Sequence, residues 1–255
     1  MRYSIITATK NAEDQIENSI KSVLSQNNVD LEHIIIDSVS KDNTIKIIDK
    51  YSSDQRIKYI SEKDNGISDA FNKGIKLSSG EWIIFLGAGD TFIHNKVLSD
   101  ISKILINKSS ELFAWGNIVL INARGEKGKT IMGKNSLKNL KRYMSFPHQA
   151  IFHNRELFQT YGMYDTNLKV AMDYDLLLRC FDKINSINYI NYNVSYMLID
   201  GLSQNNAMQV LKEFYYVKIK NNICSQFIAY SWLNWARVKY FIKKLINYDS
   251  RMKLS

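Results

Sequence analysis

The sequence is poor in residues that form disulfides or interrupt helices and strands. It has one proline, Pro147, and two cysteines, Cys180 and Cys224, among 255 residues. Two cysteines without metal-site spacing exclude a disulfide framework and favour ordinary reduced thiols. The opening residues MRYSIITATKN lack the apolar core of an export signal. We therefore expect a cytoplasmic protein, and proline marks no domain boundary in it.

Two glycine motifs that bind phosphate groups are also missing after the first predicted strand. Without G-x-G-x-x-G or G-x-x-x-x-G-K-[ST], a dehydrogenase or a P-loop enzyme is disfavoured. The 45% of hydrophobic residues is enough for one large domain or a domain with a helical appendage. The sequence therefore predicts a folded protein that holds its ligand by other means.

Strands and helices alternate in the first ninety residues, which predicts an α/β fold with a Rossmann-like, mostly parallel sheet and helices on both faces. The predicted strands are Tyr3–Thr7, Leu31–Asp37, Ile57–Ile60 and Trp82–Leu86, and the helices between them are Asn11–Gln26, Thr44–Tyr51 and Ile67–Leu77. Ligands bind such sheets beyond the carboxyl ends of the strands. Thr7, Asp37 and 87–90 should therefore share one rim.

The second half is less regular. The pattern predicts a helix over Asn95–Ile106, a strand over Glu111–Ile121, a polar hairpin around Ala123–Lys129 and a helix over Asp173–Phe181. The composition changes near Gly201. We therefore divide the chain into a catalytic domain over 1–203, with a nucleotide-sugar part over about 1–92 and an acceptor part over about 93–203, and a C-terminal extension over 204–255.

Polar residues at the first two strand ends, Thr7, Thr9, Asn11 and Asp37, are suited to line a pocket, where a carboxylate can accept a hydrogen bond from a base or a ribose. An equally simple interpretation is that Thr9 or Asn11 caps a helix and that Asp37 starts a turn. The residue pattern leaves both open.

The segment FLGAGD places Asp90 after two glycines at the end of the fourth strand. Glycine lets the backbone approach a bulky anion, and a lone carboxylate there can reach a divalent cation that neutralises a diphosphate. The alternative is a glycine turn in which Asp90 caps the next helix.

The segment AMDYDLLLR places two acids, Asp173 and Asp175, at a predicted helix start. Acids two residues apart do not share a helical face, so they should have different roles. If Asp175 pairs with Arg179, Asp173 is the better candidate for a catalytic base, with helix capping as the alternative. His148 has no nucleophile beside it in the sequence and is a candidate for substrate contact only.

Taken together, these segments resemble the family 2 glycosyltransferases of bacterial cell-surface polysaccharide synthesis, which have the A-type, Rossmann-like fold. The matching segments, in chain order, are SIITATKN, HIIIDSVSKDNT, SEKDNGISDAFNKGI, FLGAGD, PHQAIFHNRELFQTYGMYD with AMDYDLLLR, and IDGLS. In the same order, they are similar to that family's opening strand and turn, its "IIIDGGSTDGT" segment, its "SEPDKGIYDAMNKGI" segment, its "FLNAGD" metal-binding motif, its acceptor-side and catalytic-base segments, and its "GGIS" loop. The resemblance runs from about Tyr3 to Ser203.

The resemblance implies a role for each matching position. It implies nucleotide-sugar contacts at Thr7, Ala8, Thr9, Asn11, Asp37, Asp69, Lys73, Ala88 and Gly89, a Mn²⁺ or Mg²⁺ ion at Asp90, the general base at Asp173, and acceptor-side positions at His148, Gln149, Asp175 and Arg179. It further implies an inverting, metal-dependent transfer from a nucleotide-diphosphate sugar, with a UDP-sugar as the first guess. The acceptor would be a hydroxyl of a saccharide or a lipid-linked saccharide, as in O-antigen or capsule synthesis.

The C-terminal extension carries nine lysines and arginines against two acids, and so most of the net charge of +9. Trp232, Trp235, Val238, Phe241, Ile242 and Leu245 recur at nearly helical spacing. The pattern predicts amphipathic C-terminal helices on the cytoplasmic face of the inner membrane. Packing onto the catalytic domain or homodimerisation are the alternatives, and no motif indicates nucleic acid.

Two other function classes stay open. Gly89 stands where many relatives have a second acid, which would suit a non-catalytic subunit that binds donor or partner at the membrane. A sugar-phosphate nucleotidyltransferase is disfavoured because the N-terminal turn lacks the glycine-rich, arginine-containing signature of that class.

Overall fold

The computed structural model describes residues 1–106, 111–122, 124–183, 188–198 and 207–252, without the side chains of 135, 136, 182, 241 and 243–252. Ala123 of the predicted hairpin, the boundary near Gly201 and the IDGLS segment lie outside the described residues. So do the side chains of Phe241 and Leu245.

The first third of the chain forms a parallel sheet, as predicted. Its elements are β1 (Arg2–Thr9), α1 (Ile16–Leu24), β2 (Asp30–Asp37), α2 (Thr44–Asp49), β3 (Ile57–Ser61), α3 (Ile67–Leu77) and β4 (Trp82–Phe85). The strand order is β3-β2-β1-β4, and all three pairs are parallel. Helix α1 begins at Ile16 rather than Asn11, because Asn11 has a left-handed φ of 49° and belongs to the turn.

The second part of the chain adds strands to the sheet in both parallel and antiparallel pairs. It contains β5 (Thr91–Phe92), α4 (Val97–Leu105), β6 (Phe113–Ile121), β7 (Lys127–Ile131), α5 (Ser136–Asn139), β8 (Ile151–Asn154), α6 (Arg155–Tyr161), α7 (Met172–Arg179) and β9 (Tyr189–Leu198). The sheet continues as β4-β8-β6-β9-β5, with β7 paired to β6. Strand β8 is antiparallel to both of its neighbours, so the regular α/β alternation ends at β4.

Alternate residues of the central strands pack on opposite faces of the sheet. Ile6 and Phe85 pack in one cluster with Phe71 of α3. Their neighbours Ile5 and Ile84 pack in another cluster, which includes α4. Each fully buried side chain of this kind contributes roughly 1.5–3 kcal/mol. The period of two confirms a sheet that is covered by helices on both faces.

Two helices complete the described chain, α8 (Ala207–Lys220) and α9 (Gln226–Met252). Helix α8 packs on α7, where the rings of Phe214 and Tyr174 lie 4.7 Å apart and Val217 is fully buried. This helix lies in the segment that the sequence assigned to an extension, and its packing agrees with the alternative that the segment packs onto the catalytic domain. None of the described helices is long and apolar enough to cross a bilayer.

Candidate functional site

A cavity of about 710 Å³ lies at the carboxyl ends of the parallel strands. Its lining includes the end of β1, the residue after β2, the turn after β4, the start of α7, the end of β9 and Gln149. The lining residues named by the sequence prediction are Ala8, Thr9, Asn11, Ala88, Gly89, Asp90 and Gln149. The size suits a ligand as large as a nucleotide sugar.

The turn after β4 is held rigidly beneath this cavity. The hydroxyl of Ser19 in α1 lies within 3.1 Å of the carbonyl oxygens of Gly87, Ala88 and Asp90. A Cβ atom at position 87 would lie 2.6 Å from Oδ2 of Asp90, so a larger residue would displace the carboxylate. The glycine therefore fixes where Asp90 points.

Asp90 is a desolvated carboxylate in the cavity wall. Its Oδ2 accepts a hydrogen bond from the Gly87 N–H and its Oδ1 accepts one from the Leu198 N–H, both at 3.1 Å. It is 5% exposed, and burial raises its pKa while these two bonds and one from Gln149 lower it. Because both oxygens bond inside the protein, the carboxylate closes its own turn and is not a cap of α4.

These contacts leave lone pairs on both oxygens of Asp90, and oxygen is the ligand that Mg²⁺ and Mn²⁺ prefer. The residues therefore fit a hard cation that takes one protein carboxylate and completes its shell from a ligand's phosphate oxygens. Among the described residues no three His, Cys, Asp or Glu side chains cluster to hold a metal by themselves.

Asp173 lies in the first turn of α7, directly after the lining residue Met172. It does not itself line the cavity. Its Oδ2 lies 3.7 Å from Nδ1 of His148, the neighbour of the lining residue Gln149. Burial raises the pKa of Asp173, and His148 lowers it. A raised pKa makes the carboxylate a stronger base.

The imidazole of His148 is held by stacking. Its ring lies 5.6 Å from that of Phe85 and 5.9 Å from that of Phe71, nearly parallel to both. Neither ring nitrogen has a hydrogen-bond partner among the described residues. The buried hydroxyl of Tyr164 also has no such partner. Burial lowers the pKa of His148, which favours the neutral ring. Asp173 thus lies near the ring nitrogens of His148 and the hydroxyl of Tyr164, which can still form hydrogen bonds.

Several predicted contact residues lie outside the cavity lining. Thr7 is fully buried, and its hydroxyl lies 3.0 Å from Nε2 of His33. Asp37 is also fully buried, where it accepts hydrogen bonds from Ser40 and Ser61.

Asp69 and Lys73 likewise do not line the cavity. The Asp69 carboxylate accepts from the Asn65 N–H, and the Lys73 ammonium pairs with Glu62 at 2.8 Å. Their neighbours Gly66, Ile67 and Ala70 nevertheless line the cavity.

Asp175 and Arg179 form the predicted ion pair, with 3.0 Å between Oδ2 and Nε. Asp175 is fully buried and also pairs with Lys220 at 3.1 Å. Arg179 donates to backbone carbonyls, including that of Met163 at 2.8 Å. The contacts with Lys220 and Met163 bind α7 to its surroundings, and the ion pair lies within the helix, so the geometry gives the predicted acceptor-side role of this pair no support.

Other lining residues were missed by the sequence prediction. They include Lys10, Gln15, Ser38, Asp64, Lys169, Val170, Met197 and Leu198. A signal was present for Asp64, which precedes Asn65 in the SEKDNGISDAFNKGI motif. No sequence signal marks Lys169 or Met197, because they reach the cavity only through the packing of the second half.

Comparison with known families decides the class of protein. The model of glycosyl transferase family 2 matches residues 4–154. The chain belongs to this family. It is a glycosyltransferase, and the cavity lies where the matched region meets α7.

Curated relatives are also named as glycosyltransferases. A PGL/p-HBAD biosynthesis glycosyltransferase of Mycobacterium bovis is 29% identical over 181 residues, which cover 70% of this chain and 69% of the relative. The Escherichia coli enzyme WfgD, named UDP-Glc:alpha-D-GlcNAc-diphosphoundecaprenol beta-1,3-glucosyltransferase, is 39% identical over 130 residues, half of each chain.

Solved structures share the fold. TarS 1–349 of S. aureus in complex with UDP-GlcNAc superposes with a TM-score of 0.66 at 17% identity, over 91% of this chain and 70% of the TarS 1–349 chain. The mannosyltransferase PcManGT of Pyrobaculum calidifontis, with GDP-Man and Mn²⁺, gives 0.62 at 14% identity, over 99% and 80%. The A-type glycosyltransferase fold predicted from the sequence is confirmed.

Proposed function

We propose that this glycosyltransferase moves a sugar from a nucleotide-diphosphate sugar to a hydroxyl of a saccharide or lipid-linked saccharide, in the synthesis of a surface polysaccharide. The observation that carries the proposal is that Asp90 and Met172, the residue directly before Asp173, line the same cavity. The names of WfgD and of the TarS complex support UDP-sugars as the first donors to test. The name of WfgD also supports a lipid-linked acceptor.

The proposed reaction is a direct displacement with inversion. The acceptor hydroxyl attacks the anomeric carbon of the donor while the Asp173 carboxylate takes its proton, and the bond from that carbon to the phosphate oxygen breaks. The nucleoside diphosphate leaves with the bonding electrons. The partial burial of Asp173 raises its pKa and so brings it closer to the pKa of the acceptor hydroxyl whose proton it must take.

Asp90 is the proposed ligand of a divalent cation. When bound, Mg²⁺ or Mn²⁺ neutralises the charge that develops on the departing diphosphate. Asp90 holds its orientation through the Gly87 and Leu198 amides. Ala8 and Thr9 at the end of β1 and Asn11 in the turn after it line the same cavity and are proposed to contact the donor.

Asp173→Asn tests the proposed base in the purified full chain. We expect transfer to fall about 10²–10⁴-fold, the usual contribution of a general base. The assay measures sugar transfer from UDP-glucose, UDP-GlcNAc or GDP-mannose to GlcNAc-diphosphoundecaprenol. A thermal-shift titration with UDP and Mn²⁺ should show unchanged binding, because bound ligand raises the melting temperature.

The matched control is Asp30→Asn, whose side chain is 65% exposed at the far end of β2. It should leave transfer unchanged. Wild-type turnover by Asp173→Asn would overturn the proposed base. A wild type that binds UDP with Mn²⁺ but transfers none of the three sugars would favour the non-catalytic subunit instead.

We further propose that α9 lies on an anionic lipid surface near the acceptor. The helix packs against the protein through Ala229 and Leu233, which are buried. At 100° per residue the opposite side carries an exposed apolar stripe. Its members are Phe227, Ile228, Trp235, Val238 and Ile242.

Charge on α9 supports lipid as the occupant of this stripe. Gln226–Met252 contains five lysines and arginines and one acid. Lys239 stands beside the stripe on the helical wheel, next to Ile228. Apolar side chains combined with basic residues on one helix are the pattern of an interfacial helix.

Vesicle co-sedimentation tests this placement. Binding should rise with the fraction of phosphatidylglycerol in phosphatidylcholine vesicles and fall with salt. The double variant Phe227→Ser/Trp235→Ser should lose most of the binding, whereas Tyr143→Ser, which also removes an exposed aromatic ring, should keep it. Equal binding by the double variant would contradict the proposal, and so would a dimer of the wild type that the double variant dissociates.

A further inference from the structure

The loop before α7 is held by a side chain from the C-terminal part of the protein. Oε1 of Glu213 in α8 accepts a hydrogen bond from the Lys169 N–H at 3.1 Å. Its Oε2 accepts from the N–H groups of Val170 and Ala171, both at 2.9 Å. One carboxylate thus binds three successive backbone amides, more than 40 residues away in the chain.

This arrangement is strong for physical reasons. Successive N–H groups that converge on one anion form a concave binding site, and hydrogen bonds to an ionised acceptor are about twice as strong as neutral ones. Glu213 is only 6% exposed, so water does not replace these bonds easily. Gln209, one turn earlier in α8, donates a further bond to Oε1 at 2.8 Å. The position of the loop is therefore coupled to that of α8.

The same loop builds the catalytic wall. Lys169 and Val170 line the cavity, Ala171 is the N-cap of α7, and Met172 lines the cavity again. Asp173 follows directly. A shift of the three amides would move both the wall and the carboxylate proposed as the base.

We infer that Glu213 is a positioning residue for the transfer reaction, which holds 169–171 so that Asp173 and the cavity wall keep their productive geometry. The inference rests on the proposed role of Asp173. It makes α8 part of the catalytic unit, although α8 lies beyond the matched family region and within the segment that the sequence separates as an extension.

Glu213 also acts on Asp173 through charge. The groups that act on Asp173 include His148 from the turn before β8, the Tyr174 N–H of α7, Tyr164 from the loop after α6, and Glu213 from α8. Burial is the main cause of the raised pKa of Asp173, His148 lowers it, and the like charge of Glu213 raises it further. Removal of that charge should therefore lower the pKa of the base.

Glu213→Gln in the full chain tests the inference. The amide keeps the size of the side chain but offers one acceptor oxygen where the carboxylate offers two. We expect kcat to fall roughly 10–100-fold, because misplacement of a reacting group by about 1 Å can cost 10²-fold. The acid limb of the pH profile of kcat/KM should move to lower pH, because the like charge of Glu213 no longer raises the pKa of Asp173.

Glu156→Gln is the matched control, because this glutamate is exposed on α6 and loses the same charge. It should change neither kcat nor the pH profile. The assay uses whichever of UDP-glucose, UDP-GlcNAc and GDP-mannose the wild type transfers fastest to GlcNAc-diphosphoundecaprenol. Wild-type kinetics in Glu213→Gln would overturn the inference while leaving the base intact, provided that Asp173→Asn is inactive.

Hydrogen exchange on the wild type gives a test that needs no variant. The amides of Lys169, Val170 and Ala171 should exchange about as slowly as those inside α7. Fast exchange at all three would overturn the inference even if Glu213→Gln failed to fold. Failure of the proposed function would instead show as a wild type that transfers no sugar.

Discussion

The two C-terminal helices have similar compositions but different surroundings. Helix α8 buries two charged residues, Glu213 and Lys218, together with Val217. Helix α9 buries Ala229 and Leu233 and leaves Trp235, 61% exposed, on its outer side. Each helix has a lysine whose ammonium lies over a tryptophan ring. The distance from Nζ to the ring centre is 4.8 Å for Lys218 and Trp232 and 5.1 Å for Lys239 and Trp235, yet of these two lysines only Lys218 is buried.

The difference shows what decides whether an amphipathic helix packs onto a domain. The polar groups of α8 find partners on the folded body, namely the amides of 169–171 for Glu213, the Arg142 carbonyl for Lys218 and two acids for Lys220. Burial of a charged group is costly without such partners. The outer face of α9 has none among the described residues, so its apolar stripe stays available to another surface.

The same substitution in each helix should sharpen this comparison, with the larger effect in α8. Val217→Ala removes a fully buried side chain and should lower the free energy of unfolding by about 2 kcal/mol, because apolar burial is lost and a void remains. Val238→Ala, which is 46% exposed, should change it by less than about 0.5 kcal/mol. Urea denaturation of the full chain measures both.

Equal losses in the two variants would mean that α9 is packed as firmly as α8. Vesicle binding provides the reverse comparison. It should weaken in Val238→Ala and stay unchanged in Val217→Ala, since only Val238 lies in the exposed stripe.

The first half of the fold was predictable because its information is local. Apolar runs such as that of β2 and the helical period of α3 identify each element, and βαβ connections force neighbouring parallel strands. The predicted bounds of α3, Ile67–Leu77, are those of the structure. The second half was not predictable in this way, since β8 pairs with both β4 and β6 across long stretches of sequence.

The candidate site divides along the same line. Asp90 and Gly89 follow a strand whose end must lie on the rim, so position in the chain was enough to place them at the cavity. Asp175 differs from Asp173 through its ion pair with Arg179, which local spacing predicted, and through Lys220 of α8, which local spacing does not reveal. Glu213 gave no local signal, because its role depends on amides more than 40 residues earlier.

The buried lysine of α8 predicts a pH dependence that the exposed lysine of α9 should lack. Burial lowers the pKa of Lys218 from the ordinary 10.5 to about 8, while Cys224 raises it. Between these two values the unfolded chain binds more protons than the folded one, so stability should rise with pH. We expect a gain of order 1 kcal/mol between pH 8 and pH 10 that Lys218→Met removes.

Cys224 titrates in the same range, and burial raises its pKa while Lys218 lowers it. The comparison is therefore made in a Cys224→Ser background, where the unfolding free energy of Lys218→Met and of Lys239→Met is measured across that pH range. Lys239→Met should keep the slope of its parent and Lys218→Met should flatten it. Identical slopes would show that the ammonium of Lys218 keeps its hydration in the folded protein, and the distinction between a packed α8 and an exposed α9 would then not extend to their charges.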